Sequence, residues 1–72
     1  MPNDARTGSE WIIAFAARLG VEPPEEQVVT TLLDLAGVAA HASERTAAPI
    51  ACWLVGQSGL SPTSALTLAT QI

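Results

Sequence analysis

The chain has 72 residues, 49% of them hydrophobic, and a formal net charge of −4. This length fits a single domain, and this hydrophobic content predicts that the chain folds. Its permanent cations are Arg6, Arg18 and Arg45. They are too few and too scattered for the basic face that nucleic acids and anionic membranes require, so we expect neither as a partner.

The chain contains no pattern for a covalent or metal cross-link. The single cysteine, Cys52, excludes an intramolecular disulfide. One cysteine and one histidine are too few for a four-ligand zinc site. We therefore predict no metal and no other cofactor. Residues 1–8 are polar, and no run reaches the roughly 18 apolar residues of a transmembrane helix, so we expect a cytoplasmic protein without a secretory signal.

The sequence predicts a flexible arm over residues 1–7, followed by a single helical domain over residues 8–72. Thr7 and Glu10 have the spacing of a capping box, and Gly20 is a typical residue for a helix C-terminus. The first helix is therefore predicted over residues 8–19. Its inner face is expected to carry four apolar residues at helical spacing: Trp11, Ile12, Phe15 and Leu19.

The second predicted helix spans residues 24–43. Pro24 suits the first helical position, and the apolar residues from 28 to 39 recur at helical spacing. Gly37 lies inside this helix, where it could mark a close helix crossing.

Two shorter helices are predicted to follow. Thr46 can cap the third, which tolerates Pro49 in its first turn, and Gly56 and Gly59 are expected to end it. Ser61 and Pro62 are start signals for the fourth. The fold class is therefore all-α, a compact bundle of about four short helices. Nine large residues are predicted to be the most buried, with Cys52 as a small core residue: Trp11, Phe15, Leu19, Leu32, Leu35, Ile50, Trp53, Leu54 and Leu66.

One polar pattern goes beyond what a helix requires. His41 and Arg45 follow Asp34 by 7 and 11 residues, which places all three within about 20° of one stripe if the helix extends that far. Such a stripe could bind a partner. Alternatively, Asp34 is a solvated surface residue, His41 stabilises the helix C-terminus, and Arg45 clamps helix carbonyls.

The junction between the second and third helices is the candidate binding site. Amide groups at a helix N-terminus attract anions, and Arg45 beside them adds a bidentate donor for a phosphate or carboxylate. A competing interpretation is that Glu44 or Asp34 already neutralises Arg45. No catalytic residue is predicted, because the chain has neither lysine nor a recognisable nucleophile or phosphate-binding motif.

Residues 32–49, LLDLAGVAAHASERTAAP, carry a resemblance to a known family, together with the earlier helix that contains Trp11 and Phe15. Over about residues 9–69 the chain resembles a small actinobacterial domain of unknown function. That domain is found alone or at the C-terminus of molybdenum-cofactor guanylyltransferase-like proteins, which belong to molybdopterin-guanine dinucleotide biosynthesis. The most specific part is the run from His41 to Pro49, which includes Glu44 and Arg45.

The resemblance implies a pathway for this chain and no chemistry of its own. We expect a non-catalytic accessory or protein-interaction module of molybdenum-cofactor biosynthesis, with a guanylyltransferase-like protein as its partner. The predicted binding residues are Asp34, His41, Glu44 and Arg45. Two alternatives stay open: a small-ligand binder that holds a phosphorylated or pterin-like molecule at the helix 2–3 junction, and a structural homodimer.

Overall fold

A computed structural model describes residues 7–72 as four α-helices. These are α1 (Gly8–Leu19), α2 (Glu26–Ala42), α3 (Ala47–Ser58) and α4 (Pro62–Ala69). The all-α class and the number of helices are thus confirmed. Apart from Thr7, the predicted N-terminal arm lies outside the described residues. Within the described part of the chain, no helix is long and apolar enough to cross a membrane.

The helix-end signals of α1 and α4 are confirmed in detail. The Glu10 amide donates to Thr7 Oγ1 (3.1 Å), and the Thr7 amide donates to Glu10 Oε1 (2.8 Å), which completes the capping box. Gly20 ends α1 in the left-handed conformation (φ 78°), which a residue without Cβ adopts readily. Ser61 caps α4 by accepting a hydrogen bond from the Ser64 amide (3.1 Å).

Two helix starts differ from the prediction. Helix α2 begins at Glu26 rather than at Pro24, because Glu25 before it keeps an extended backbone (φ −68°, ψ 158°). Thr46 precedes α3 as expected, but its backbone is already helical (φ −69°, ψ −15°) and its side chain makes no capping hydrogen bond. Its hydroxyl donates instead to Glu44 Oε2 (3.2 Å).

The core forms where α2 packs against α3 and α4. Leu35, at the middle of α2, is only 3% exposed, and Ala65 of α4 and Ala16 of α1 are also buried. Leu32 and Leu66 are half-buried. The prediction was therefore correct for Leu35 and partly correct for Leu32 and Leu66.

The prediction was wrong for the other six large residues, all of which are substantially exposed: Trp11, Phe15, Leu19, Ile50, Trp53 and Leu54. The reason in α3 is that this helix has two apolar sides. Its small residues turn inward and are half-buried: Ala47, Ala48, Ala51, Cys52 and Val55. Small side chains let two helices approach closely, and Cys52 Sγ lies 4.0 Å from the carbonyl oxygen of Leu32. The side of α3 that carries the larger residues therefore faces solvent.

Gly37 does not mark a close helix crossing. A Cβ added to it would meet nothing within 4 Å. The close contact between α2 and α3 is made by small side chains on α3 instead, as Cys52 shows.

Candidate functional site

Asp34 and His41 lie on one exposed side of α2. Seven residues separate them, which corresponds to about 10 Å along the helix axis. At that distance the carboxylate and the imidazole share a surface without contacting each other. The predicted stripe is therefore present for these two residues.

Arg45 does not belong to this stripe. Helix α2 ends at Ala42, and Ser43 follows with a non-helical backbone (φ −142°, ψ −95°). The Ser43 hydroxyl donates to the Ala39 carbonyl (2.8 Å), which satisfies a carbonyl group at the end of the helix. Arg45 thus lies in the connection between α2 and α3. The three-residue stripe required α2 to extend as far as Arg45, and it does not.

The start of α3 has fewer free amide groups than the anion-site interpretation requires. The amide of Ala47 donates to the Glu44 carbonyl (2.9 Å), and that of Ala48 donates to the Arg45 carbonyl (3.2 Å). Pro49, the next residue, has no amide hydrogen. An anion at this junction would therefore have to rely on the exposed Arg45 side chain.

The clamp interpretation of Arg45 predicts a loss of stability that we do not expect. Among residues 7–72 the Arg45 side chain is exposed and donates to no helix carbonyl. Arg45→Ala should therefore change the free energy of unfolding by no more than about 0.5 kcal/mol. Thermal melting followed by circular dichroism checks this, with Arg45→Lys as the charge-retaining control. A large loss of stability in both variants would support the interpretation that Arg45 clamps helix carbonyls.

A wide hollow lies elsewhere, between α1 and the start of α2. We call it the α1–α2 groove. Its volume is about 710 Å³, which lies within the range of ligand and peptide sites. Its walls are mostly apolar and come from α1, the connection after it and α2: Thr7, Gly8, Ser9, Trp11, Ile12, Ile13, Pro23, Pro24, Glu26, Val29 and Leu33.

A second, smaller hollow of about 290 Å³ lies beside the groove and shares Trp11 as a wall. Phe15, Ala14 and Arg18 complete it. The rings of Trp11 and Phe15 contact each other, with centroids 5.0 Å apart and planes tilted by 31°. This contact holds two large aromatic side chains together on an exposed side of α1. None of the four predicted binding residues lines either hollow.

The comparison with known families supports one part of the resemblance, namely that the chain is a domain of unknown function. A family model described as a domain of unknown function, DUF6457, matches residues 3–70. The chain belongs to this family. No curated protein and no solved structure matches the chain. The family description names no activity, so the association of this DUF6457 domain with molybdenum-cofactor proteins stays a prediction.

The DUF6457 domain brings few metal-binding side chains together. Among residues 7–72, no group of three or more His, Cys, Asp or Glu side chains could hold a metal ion. Cys52 is half-buried on the inner side of α3, as a small packing residue.

The α1–α2 groove was not predicted, and two of its residues, Trp11 and Ile12, were assigned to the inner face of the first helix, although the sequence carries a signal for exposed apolar residues. Ile13 is two residues from both Trp11 and Phe15, which places it about 160° from each around the axis of α1, so no single buried stripe can contain all three. A short helix with apolar residues on so wide an arc has more apolar surface than one neighbouring helix can cover. Leu33 shows the same excess on α2, where it is 67% exposed.

Proposed function

We propose that this DUF6457 domain is a non-catalytic protein-interaction module, and that the α1–α2 groove binds an apolar segment of a partner protein. The main support is that large apolar side chains in the groove walls are exposed to solvent. Trp11, Ile13 and Leu33 are all more than half exposed, although each is large and apolar. Exposed apolar patches on small proteins typically mark binding sites, and an amphipathic helix lying in a groove is a common way to cover one.

The charges near the groove favour a basic partner segment. Glu26 lines the groove, and Glu22 and Glu25 flank its two prolines in the sequence. No arginine is among the described lining residues. Among the described lining residues, Glu26 would repel a phosphorylated ligand, whereas a helix with lysine or arginine beside its apolar residues would meet opposite charge.

The resemblance of residues 32–49 supports a molybdenum-cofactor guanylyltransferase-like protein as the partner. In this proposal the domain docks onto that protein and leaves nucleotidyl transfer to it. The lack of lysine in the chain supports the non-catalytic part, since phosphoryl-type transfer depends on cationic groups around the phosphates.

The direct test is isothermal titration calorimetry of the purified domain with a guanylyltransferase-like protein from the same organism. We expect saturable binding, and Leu33→Glu should weaken it at least about tenfold, because the new carboxylate would lose its hydration against the apolar residues of the partner segment. Leu33 is largely exposed, so this change should leave the fold intact.

Leu68→Glu is the matched control. It makes the same chemical change at an exposed leucine of α4 that does not line the groove, so its affinity should equal that of the wild type. Absence of binding to the guanylyltransferase-like protein would refute that partner. Equal binding by the wild type and Leu33→Glu would refute the groove as the contact surface.

A further inference from the structure

The outer side of α3 is a second apolar surface, separate from the α1–α2 groove. It consists of Ile50, Trp53 and Leu54, each more than half exposed. With Gln57 these residues follow the spacing i, i+3, i+4 and i+7, which places them along one stripe of a helix. Two helices that pack side by side along their length bury stripes of this kind. We call this stripe the α3 outer face.

The distribution of charge indicates what can cover the α3 outer face. All ten charged residues and the single histidine lie within residues 1–45, and residues 46–72 contain no charged side chain. A partner that depends on charge for recognition therefore finds no complementary group on α3. Two copies of α3, in contrast, can meet without bringing like charges into the contact, although each chain carries a net charge of −4.

The composition of the face agrees with self-association, and its size limits the strength of the contact. Homodimer interfaces are more apolar than other protein interfaces, and their centres are depleted of charged residues. Trp53, at 62% exposure, with Ile50 and Leu54 on either side, offers on the order of 350 Å² of apolar surface per chain. This is less than the roughly 800 Å² per partner of a standard interface, so the contact should be reversible rather than permanent.

The small core supplies a reason for such a contact. Among residues 7–72 only Ala16, Leu35 and Ala65 are buried apolar residues. Domains of this length often gain stability from oligomerisation. Pairing of two α3 outer faces would remove Trp53 of both chains from water and add to the apolar surface that each chain buries.

We infer that the DUF6457 domain forms a reversible homodimer in which the α3 outer face of one chain packs against the same face of a second copy. This pairing uses a different surface from the α1–α2 groove, so it stands or fails independently of the proposed function.

Sedimentation equilibrium of the purified chain between about 1 µM and 1 mM tests this pairing. The wild type should pass from its monomer mass of 7.4 kDa to twice that mass as concentration rises. Trp53→Glu should raise the dimer Kd about 100-fold or more, because it places two carboxylates in an apolar contact. Far-UV circular dichroism of Trp53→Glu should match the wild type, since the side chain is exposed.

Two further variants make the outcome specific. Leu33→Glu adds the same charge in the α1–α2 groove and should dimerise like the wild type. Trp53→Gln removes the aromatic ring without adding charge and should also weaken the dimer. A wild type that stays monomeric at every concentration would overturn the inference and leave the α3 outer face to a different protein. A Trp53→Glu variant that dimerises as well as the wild type would overturn it too.

Discussion

Leu35→Ala should lower the free energy of unfolding by about 2–5 kcal/mol, the usual cost of truncating a leucine in a packed core. Leu35 lies at the middle of α2, is 3% exposed, and is the only large side chain buried among residues 7–72. A domain of this size commonly has a total stability of about 4–11 kcal/mol. The substitution should therefore unfold a large share of the molecules or lower the melting temperature strongly.

Urea unfolding followed by circular dichroism measures this loss, and Leu33→Ala is its matched control. Leu33 lies on the same helix two residues away, but it is 67% exposed, so truncating it should cost no more than about 0.5 kcal/mol. Equal losses for Leu33→Ala and Leu35→Ala would contradict the placement of the core.

Ala16→Leu should destabilise the domain by about 1–3 kcal/mol, as overpacking of a closely packed site typically does. Ala16 is 5% exposed and is the only residue of α1 that is buried. A larger side chain there has to displace its neighbours or push α1 away from them. Thermal melting should therefore show a lower midpoint for Ala16→Leu than for the wild type.

Ala17→Leu is the adjacent control. Ala17 is exposed, and leucine is nearly as good a helix former as alanine, so the melting temperature should hardly change. If the two leucine variants melted at the same temperature, α1 would not be held at Ala16.

The helices were predictable because their signals are local. The Thr7–Glu10 capping box, the left-handed Gly20 and the Ser61 cap each depend on a few neighbouring residues, and all three were correct. The start of α2 was less predictable, since the backbone of Glu25 stays extended between Pro24 and the helix and no side chain fixes that position.

The orientation of α3 was not predictable by the rule that the larger apolar residues are buried. Ala51 and Cys52 face inward, while Trp53 and Leu54 face outward, so the helix packs through its small side. This choice depends on how closely α2 and α3 approach, which the sequence of α3 alone does not specify. The α1–α2 groove was not predictable for a similar reason, since it depends on how α1 and the start of α2 lie relative to each other.

Amide chemical-shift mapping tests most directly our proposal that the domain binds its partner through the α1–α2 groove. The ¹⁵N-labelled domain would be titrated with the unlabelled guanylyltransferase-like protein. We expect the largest changes at groove residues such as Ile13, Val29 and Leu33, with small changes at His41, Glu44 and Arg45. Changes confined to residues 41–50, with the groove residues unaffected, would contradict the claim and assign binding to the α2–α3 junction.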